Sequence, residues 1–178
     1  MLLLRAPASL RFEALAPFGP PLLVVASDEE TVTLWEVAQE RAWVARATAD
    51  ANRRWLGLAL GSEDLVALLA GYALPPRDPL SGAMLPADDI GPSVVFTTAD
   101  GRQRIWLDQQ TGDARQVEWT GGSQPARAVF VESGVRLTTL DQKLDVSVTY
   151  RNPQRNTGFD ADLLTLTVPQ SVRILDFR

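Results

Sequence analysis

Apolar and polar residues alternate with period two through most of the chain, and one stretch, Thr48 to Gly71, replaces that rhythm with helical spacing. Ser9 to Ala16 runs polar and apolar in turn through Leu10, Arg11, Phe12 and Glu13, the signature of a strand with one buried face. Leu22 to Ala26, Thr31 to Val37 and Arg41 to Arg46 follow at hairpin spacing. They are joined by Pro17-Phe18-Gly19-Pro20-Pro21, Ser27-Asp28-Glu29-Glu30 and Ala38-Gln39-Glu40, each short enough to link antiparallel neighbours. After the interruption, Ser93 to Thr98 and Arg102 to Leu107 flank Asp100-Gly101, the strongest hairpin signal in the chain. The same pattern predicts strands at Ala114 to Trp119, Arg127 to Glu132, Val135 to Leu140, Leu144 to Tyr150, Leu163 to Val168 and Val172 to Phe177. About eleven strands are enough to curl or close a sheet. Leu2-Leu3-Leu4-Arg5 looks like the tail of one more, so the chain opens in mid-pattern and an upstream piece is expected.

The interruption reads as two short helices with one apolar side each. Ser62 offers a cap, Glu63 and Asp64 suit the positive N-terminal end of a helix, and Gly71 closes it. Leu65, Leu68 and Leu69 fall at i, i+3 and i+4 and share a face that needs an apolar partner. Thr48 and Asp50 offer a similar start for Ala51, Trp55 and Leu58, spaced before and across Gly57. A helical insert laid over a curved antiparallel sheet suits a lid on a container better than a scaffold for catalysis. Pro75 to Pro92, with five prolines, reads as a long loop.

With 178 residues and 46% hydrophobic content, the chain fits one domain, 1–178, with a sizeable core. A net charge of -5 and the lack of a Lys/Arg cluster argue against nucleic acid, because phosphate neutralisation needs a basic stripe. Histidine and cysteine are both absent. That removes the commonest general base, the usual metal ligand and every Ser-His-Asp or Cys-His arrangement, so no catalytic residues and no cofactor are expected. The acidic pairs Glu29-Glu30, Glu63-Asp64 and Asp88-Asp89, and the spaced Asp160 and Asp162, read as solvated or capping carboxylates, so no metal site is expected. Gly121-Gly122 sits with Ser123 in a polar turn and makes no phosphate loop. Neither a membrane span nor a complete signal peptide is legible.

What the chain has in quantity is apolar and aromatic residues on both sides of several strands. Trp35 lies on the opposite face from Val32 and Leu34, Trp43 opposite Val44, and Trp106 opposite Ile105 and Leu107. Such strands are either plain core or the wall of a hydrophobic cavity.

The run Phe12-Glu13-Ala14-Leu15-Ala16-Pro17-Phe18-Gly19-Pro20-Pro21, then Leu23-Val24-Val25-Ala26-Ser27-Asp28, Thr33-Leu34-Trp35, Ala47-Thr48 and Ser62 through Gly71 resembles the outer-membrane lipoprotein receptor LolB and its LolB-like relatives. Val148-Thr149-Tyr150-Arg151-Asn152-Pro153, Phe159 and Val168-Pro169 resemble the closing strands of the wider LolA/LolB lipoprotein-localisation group. The resemblance implies a mainly β fold with a helical insert (α+β), an unclosed antiparallel barrel covered by a short helical lid. It implies a carrier or receptor that holds the acyl chains of a lipoprotein or another lipid at the periplasmic face of the outer membrane of a bacterial envelope. A periplasmic lipoprotein chaperone is the implied partner, and the implied lipid anchor lies outside this chain. Acyl binding needs little more than a dry cavity, at roughly 0.8 kcal/mol per buried methylene.

Phe12, Val25, Leu34, Trp43, Trp55, Leu65, Leu69, Phe96 and Trp106 are accordingly the candidates for cavity wall and lid. Phe18, in Pro17-Phe18-Gly19-Pro20, is the candidate for membrane contact; its plain alternative is a rigid turn whose ring packs back on the sheet. Two other classes stay open. One is a non-catalytic envelope interaction module whose cavity is filled by its own side chains; the other is a carbohydrate-active enzyme using carboxylates such as Glu118 and Glu132.

Overall fold

A computed structural model describes residues 1–122, 125–141 and 143–176; Ser123 of the polar turn and Phe177 of the last expected strand lie outside the described residues. In chain order the strands are β1 (Leu2–Arg5), β2 (Ser9–Leu15), β3 (Pro21–Ser27), β4 (Thr31–Glu36), β5 (Arg41–Arg46), β6 (Ser81–Leu85), β7 (Ser93–Thr98), β8 (Gly101–Leu107), β9 (Ala114–Gly121), β10 (Ala126–Val131), β11 (Gly134–Thr139), β12 (Asp145–Thr149) and β13 (Arg173–Asp176). The helices α1 (Ala49–Leu56) and α2 (Ser62–Ala70) fall between β5 and β6. The chain is thus mainly β with a helical insert, gathered into two compact units. One holds Met1–Leu56, Leu60–Val66 and the chain from Gln154 onward; the other holds Gly57–Ala59 and Ala67–Pro153.

The first unit carries a six-stranded sheet in the order β1-β2-β3-β4-β5-β13. Its first five strands are antiparallel neighbours in sequence, as the short turns require, and β13 returns parallel to β5. The second unit is a seven-stranded antiparallel meander, β12-β11-β10-β9-β8-β7-β6. The expected single barrel of about eleven strands is therefore corrected: the described strands form two sheets, and neither closes. The physical reason is visible at β5. Its free edge is taken by β13, a pairing across more than a hundred residues, so the strands after the helical insert have to build a ladder of their own.

Every other expected strand forms within a residue or two of its place, except Leu163 to Val168. There Asp160 caps a 3-10 turn, Ala161–Leu164, by accepting the N–H of Asp162. The following carbonyls are then claimed by a side chain instead of a ladder: the Arg11 guanidinium donates to Leu163 O at 3.3 Å and Thr165 O at 2.9 Å. The strand missing from the expectation is β6, inside the proline-rich stretch. Its sequence Ser-Gly-Ala-Met-Leu does not alternate, and it forms at the sheet edge between Pro79 and Pro86, where prolines are tolerated.

The helices begin and end for local reasons. Thr48 Oγ1 accepts the N–H of Ala51 at 3.2 Å and starts α1. The helix stops at Leu56, so Leu58, expected to continue it, lies beyond its end, though buried. Ser62, expected as a cap, is already inside α2, and its hydroxyl lies 3.2 Å from that of Ser27. Gly71, at φ +92°, ends α2 with paired bonds from Gly71 N–H to Leu68 O and from Tyr72 N–H to Ala67 O. That double closure needs a left-handed residue, which glycine supplies without a Cβ penalty.

The core of the first unit is the cluster of Leu10, Val25, Val32, Ala51 and Val66, with Leu4, Leu23, Leu34, Ala45 and Trp55 packed around it. Two strand pairs and both helices thus meet on one face of the sheet. Burial on that scale contributes about 1.5–3 kcal/mol per large apolar side chain.

Candidate functional site

In the first unit, four of the expected site residues fall on one line. Phe12 pairs with Val25, Val25 with Leu34, and Leu34 with Trp43. Leu2 extends the line at one end and Leu175 at the other, so one apolar side chain from every strand lies on the same face, straight across the sheet. Directly paired residues share a face and stand about 5 Å apart. Trp55 of α1 packs against the cluster on that same face. Val25 is buried at 5% exposure while Phe12 keeps 41%, so the helices cover the middle of the line and leave the Phe12 end in solvent.

The second unit repeats the arrangement. Met84, Val94, Ile105, Val117, Ala128, Leu137 and Val146 are paired in turn across all seven strands. Phe96 shares this face, one step along β7 from Val94. Together with Val94, Ile105 and Leu107 it forms the floor of a groove of about 290 Å³, walled on the other side by Gly71, Tyr72, Ala73 and Pro75 just past the end of α2. The lining is mostly apolar. Leu69, a lid candidate, is half-buried, and its carbonyl accepts the Tyr150 hydroxyl at 2.6 Å. Leu65 is buried in α2.

Trp106 stands apart from Phe96. It pairs with Ser93 and Gln116 and so occupies the opposite face. There its indole N–H donates to both oxygens of Asp88, and Arg104, 4.2 Å above the ring, reaches the same carboxylate at 2.6 Å. The Trp106 hydrogen bond first, then the backbone N–H groups of Ile90 and Gly91 and the Arg104 charge, hold the Asp88 carboxyl down to about 2. Trp106 therefore fastens the loop after β6 and is no part of the groove.

The same face carries ion pairs further along the sheet. Arg127 pairs with Glu118 at 2.6 Å, and Arg136 pairs with Asp145. The seven-stranded sheet thus carries its ion pairs on one side and its unbroken apolar line on the other, with Val95, Trp106 and Val129 on the ion-pair side as well. Glu118 is engaged by Arg127, while Glu132 sits exposed in the turn between β10 and β11. Among the described residues, no three acidic side chains are placed to hold a metal ion. No described helix is long and apolar enough to cross a membrane.

The β2–β3 hairpin presents the clearest exposed apolar feature. Phe18 at its tip is 95% exposed, and Leu15 and Leu22 on its two sides are 59% and 54% exposed. The alternative of a ring folded back on the sheet is excluded by that exposure.

The residues the sequence did not single out are Leu2 and Leu175 on the first line, Tyr72, Ala73, Pro75 and Val94 at the groove, and Leu15 and Leu22 beside Phe18. For Leu15 and Leu22 a signal existed, since both flank a rigid Pro-Phe-Gly-Pro turn. Tyr72 to Pro75 follow a helix stop and carry no periodicity. No protein-family model matches the chain, and no curated protein matches it either.

Proposed function

We propose that the protein binds the acyl chains of a lipoprotein or another lipid, as a LolB-like carrier or receptor in lipoprotein transport at the periplasmic face of the outer membrane. The observation that carries the proposal is the line Phe12, Val25, Leu34 and Trp43, an apolar path across antiparallel strands with Trp55 of a helix over it. An extended acyl chain matches such a path in shape and needs no polar partner along its length. The groove floored by Phe96 offers a second surface of the same kind within the other unit. Phe18, flanked by Leu15 and Leu22, supports membrane contact, since a bilayer is where three neighbouring exposed apolar side chains gain most. A periplasmic lipoprotein chaperone would deliver the ligand.

One observation favours a second reading, an envelope interaction module with a self-filled cavity. Ala51 and Val66 already occupy the centre of the apolar face. Under the carrier reading α1 has to lift, or the ligand has to lie at the uncovered Phe12 end. Solvent extraction and lipid mass spectrometry of the purified protein separate the two. Co-purified acyl species, lost in Phe12→Asp while circular dichroism is unchanged, are the expected result. A lipid-free protein that also takes up no fluorescent fatty acid overturns the carrier.

A further inference from the structure

The line of paired positions next to Phe12, Val25, Leu34 and Trp43, two residues along each strand and on the same face, changes character abruptly. It reads Leu23, Glu36, Arg41 and Arg173. Arg41 and Arg173 are directly opposed on β5 and β13. Like charges on neighbouring strands repel, and sheets normally avoid the arrangement. Glu36 neutralises only one of them, through a bond from Arg41 Nη2 to Glu36 Oε2 at 3.2 Å. Arg173 is exposed and has no ion-pair partner among the described residues. Arg41 Nε has no acceptor among the described residues, while the side chain as a whole stays 43% exposed and paired with Glu36. The Arg41 guanidinium lies 5.5 Å from the centre of the Trp43 ring, so the two cations border the apolar path.

We infer that Arg41 and Arg173 form an anion site, and that the ligand is an acyl lipid ending in a carboxylate or a phosphomonoester, its chain along the Trp43 line and its head between the two guanidinium groups. The inference rests on the acyl-binding reading and narrows it to its free-lipid branch, since acyl chains linked as esters or amides to a lipoprotein end in no anion. A neutral lipid would leave the like-charge pair as it is. An anion relieves it: it accepts from the solvent-facing guanidinium N–H groups of Arg41 and Arg173 and screens one cation from the other. Glu36, bonded to Arg41 Nη2, holds the guanidinium in place and limits the net charge of the site to +1.

The test is displacement of the neutral probe N-phenyl-1-naphthylamine from the full chain at pH 8 by hexadecanoate, hexadecyl phosphate and hexadecanol, which share one chain and differ in the head. At least one anion is expected to bind about tenfold tighter than the alcohol, the gain typical of a charge-assisted hydrogen bond. Arg173→Gln, which disturbs no ion pair among the described residues, and Arg41→Gln should each bring that ratio towards one. Preference for the carboxylate identifies a free fatty acid, and preference for the phosphate a phospholipid-type head; either supports the anion site. Equal affinity for all three, or a ratio untouched by both substitutions, overturns the anion site and leaves acyl binding standing. Failure of all three to displace the probe, with the fold intact by circular dichroism, overturns both.

Discussion

The Asp88 carboxylate receives the indole N–H of Trp106 on both its oxygens, at 3.1 and 3.0 Å, and so ties the loop after β6 to the C-terminal end of β8. Because these bonds favour the ionised form, Asp88 titrates near 2 in the folded protein against an ordinary aspartate value of 3.8. A carboxyl with a lowered folded value contributes stability that is complete above about pH 4 and is lost as the pH falls towards 2. Asp108 and Asp141 are held down to about 2 as well, by Thr111 with Arg115 and by Thr139 with Lys143, and add to the same window. The urea midpoint, followed by tryptophan fluorescence, is expected to be flat from pH 7 to 4 and to drop from 4 to 2. Asp88→Asn should lower the midpoint at neutral pH and make the acid drop shallower. A drop of unchanged size in that variant would show that the Trp106 bond carries no linkage.

Gly101 opens β8 at φ +152°, and a Cβ placed on it would stand 2.2 Å from the carbonyl oxygen of Thr120 on the neighbouring strand. Both the backbone angle and the close approach demand glycine here, and the obstacle is main chain, which cannot step aside as a side chain can. Gly101→Ala is expected to cost at least about 1–3 kcal/mol, the range for a strained backbone residue. For a chain of this size that corresponds to a fall in melting temperature of several degrees. Calorimetry checks it; an unchanged melting temperature would mean the β8–β9 pairing is looser than its register implies.

The elements whose partners are near in sequence were legible, and those whose partners are far were not. Arg41–Arg46 and Ser93–Thr98 were found to the residue, because alternation and short turns decide them together. The pairing of β13 with β5 left no trace in the sequence, since period two names a strand but never its neighbour. That single long-range contact divides the sheet and removes the expected barrel. Leu163 to Val168 alternates well enough, yet Arg11 captures its carbonyls, and a side chain more than a hundred residues away is invisible to a local pattern. The candidate site followed the same rule. Phe12, Val25, Leu34 and Trp43 were named separately and proved to be collinear, whereas Trp106, chosen on the same grounds as Phe96, faces the other way. Both aromatics sit in strands that are apolar on two sides, where alternation gives no inward direction.

The line across the first sheet offers a paired test of binding against folding. Phe12 keeps 41% of its surface in solvent, and Val25, its direct neighbour, keeps 5%. Phe12→Asp puts its charge where water can reach it, so the fold should hold to within about 1 kcal/mol, in the range of ordinary exposed substitutions. Val25→Asp buries a carboxylate beside Leu10 and Val32 and is expected to unfold the first unit or push the carboxyl strongly upward. In fatty-acid uptake measured by fluorescence, Phe12→Asp should lose at least tenfold in affinity, and the smaller change Phe12→Leu should retain most of it. Full uptake by Phe12→Asp would move the ligand off this line and onto the groove floored by Phe96.

Phe18 stands at 95% exposure between Pro17 and Gly19, so its ring makes almost no contribution to the fold. Replacing it with Ser should therefore leave the urea midpoint where it was, within about 0.5 kcal/mol, as for a surface site without a partner. A membrane interface is a different environment. Burying a phenylalanine side chain away from water gains about 1.5–3 kcal/mol, which is on the order of 10- to 100-fold in partitioning. Flotation of the purified chain with phospholipid vesicles should therefore fall by about that factor for Phe18→Ser, and again when Leu15 and Leu22 are changed to Ser. Both of those side chains are more than half exposed, so the triple variant should still fold. Equal flotation of wild type and triple variant would rule out the hairpin as the membrane contact. It would leave three large apolar side chains at one tip without an apolar environment, a patch that only another protein surface could then cover.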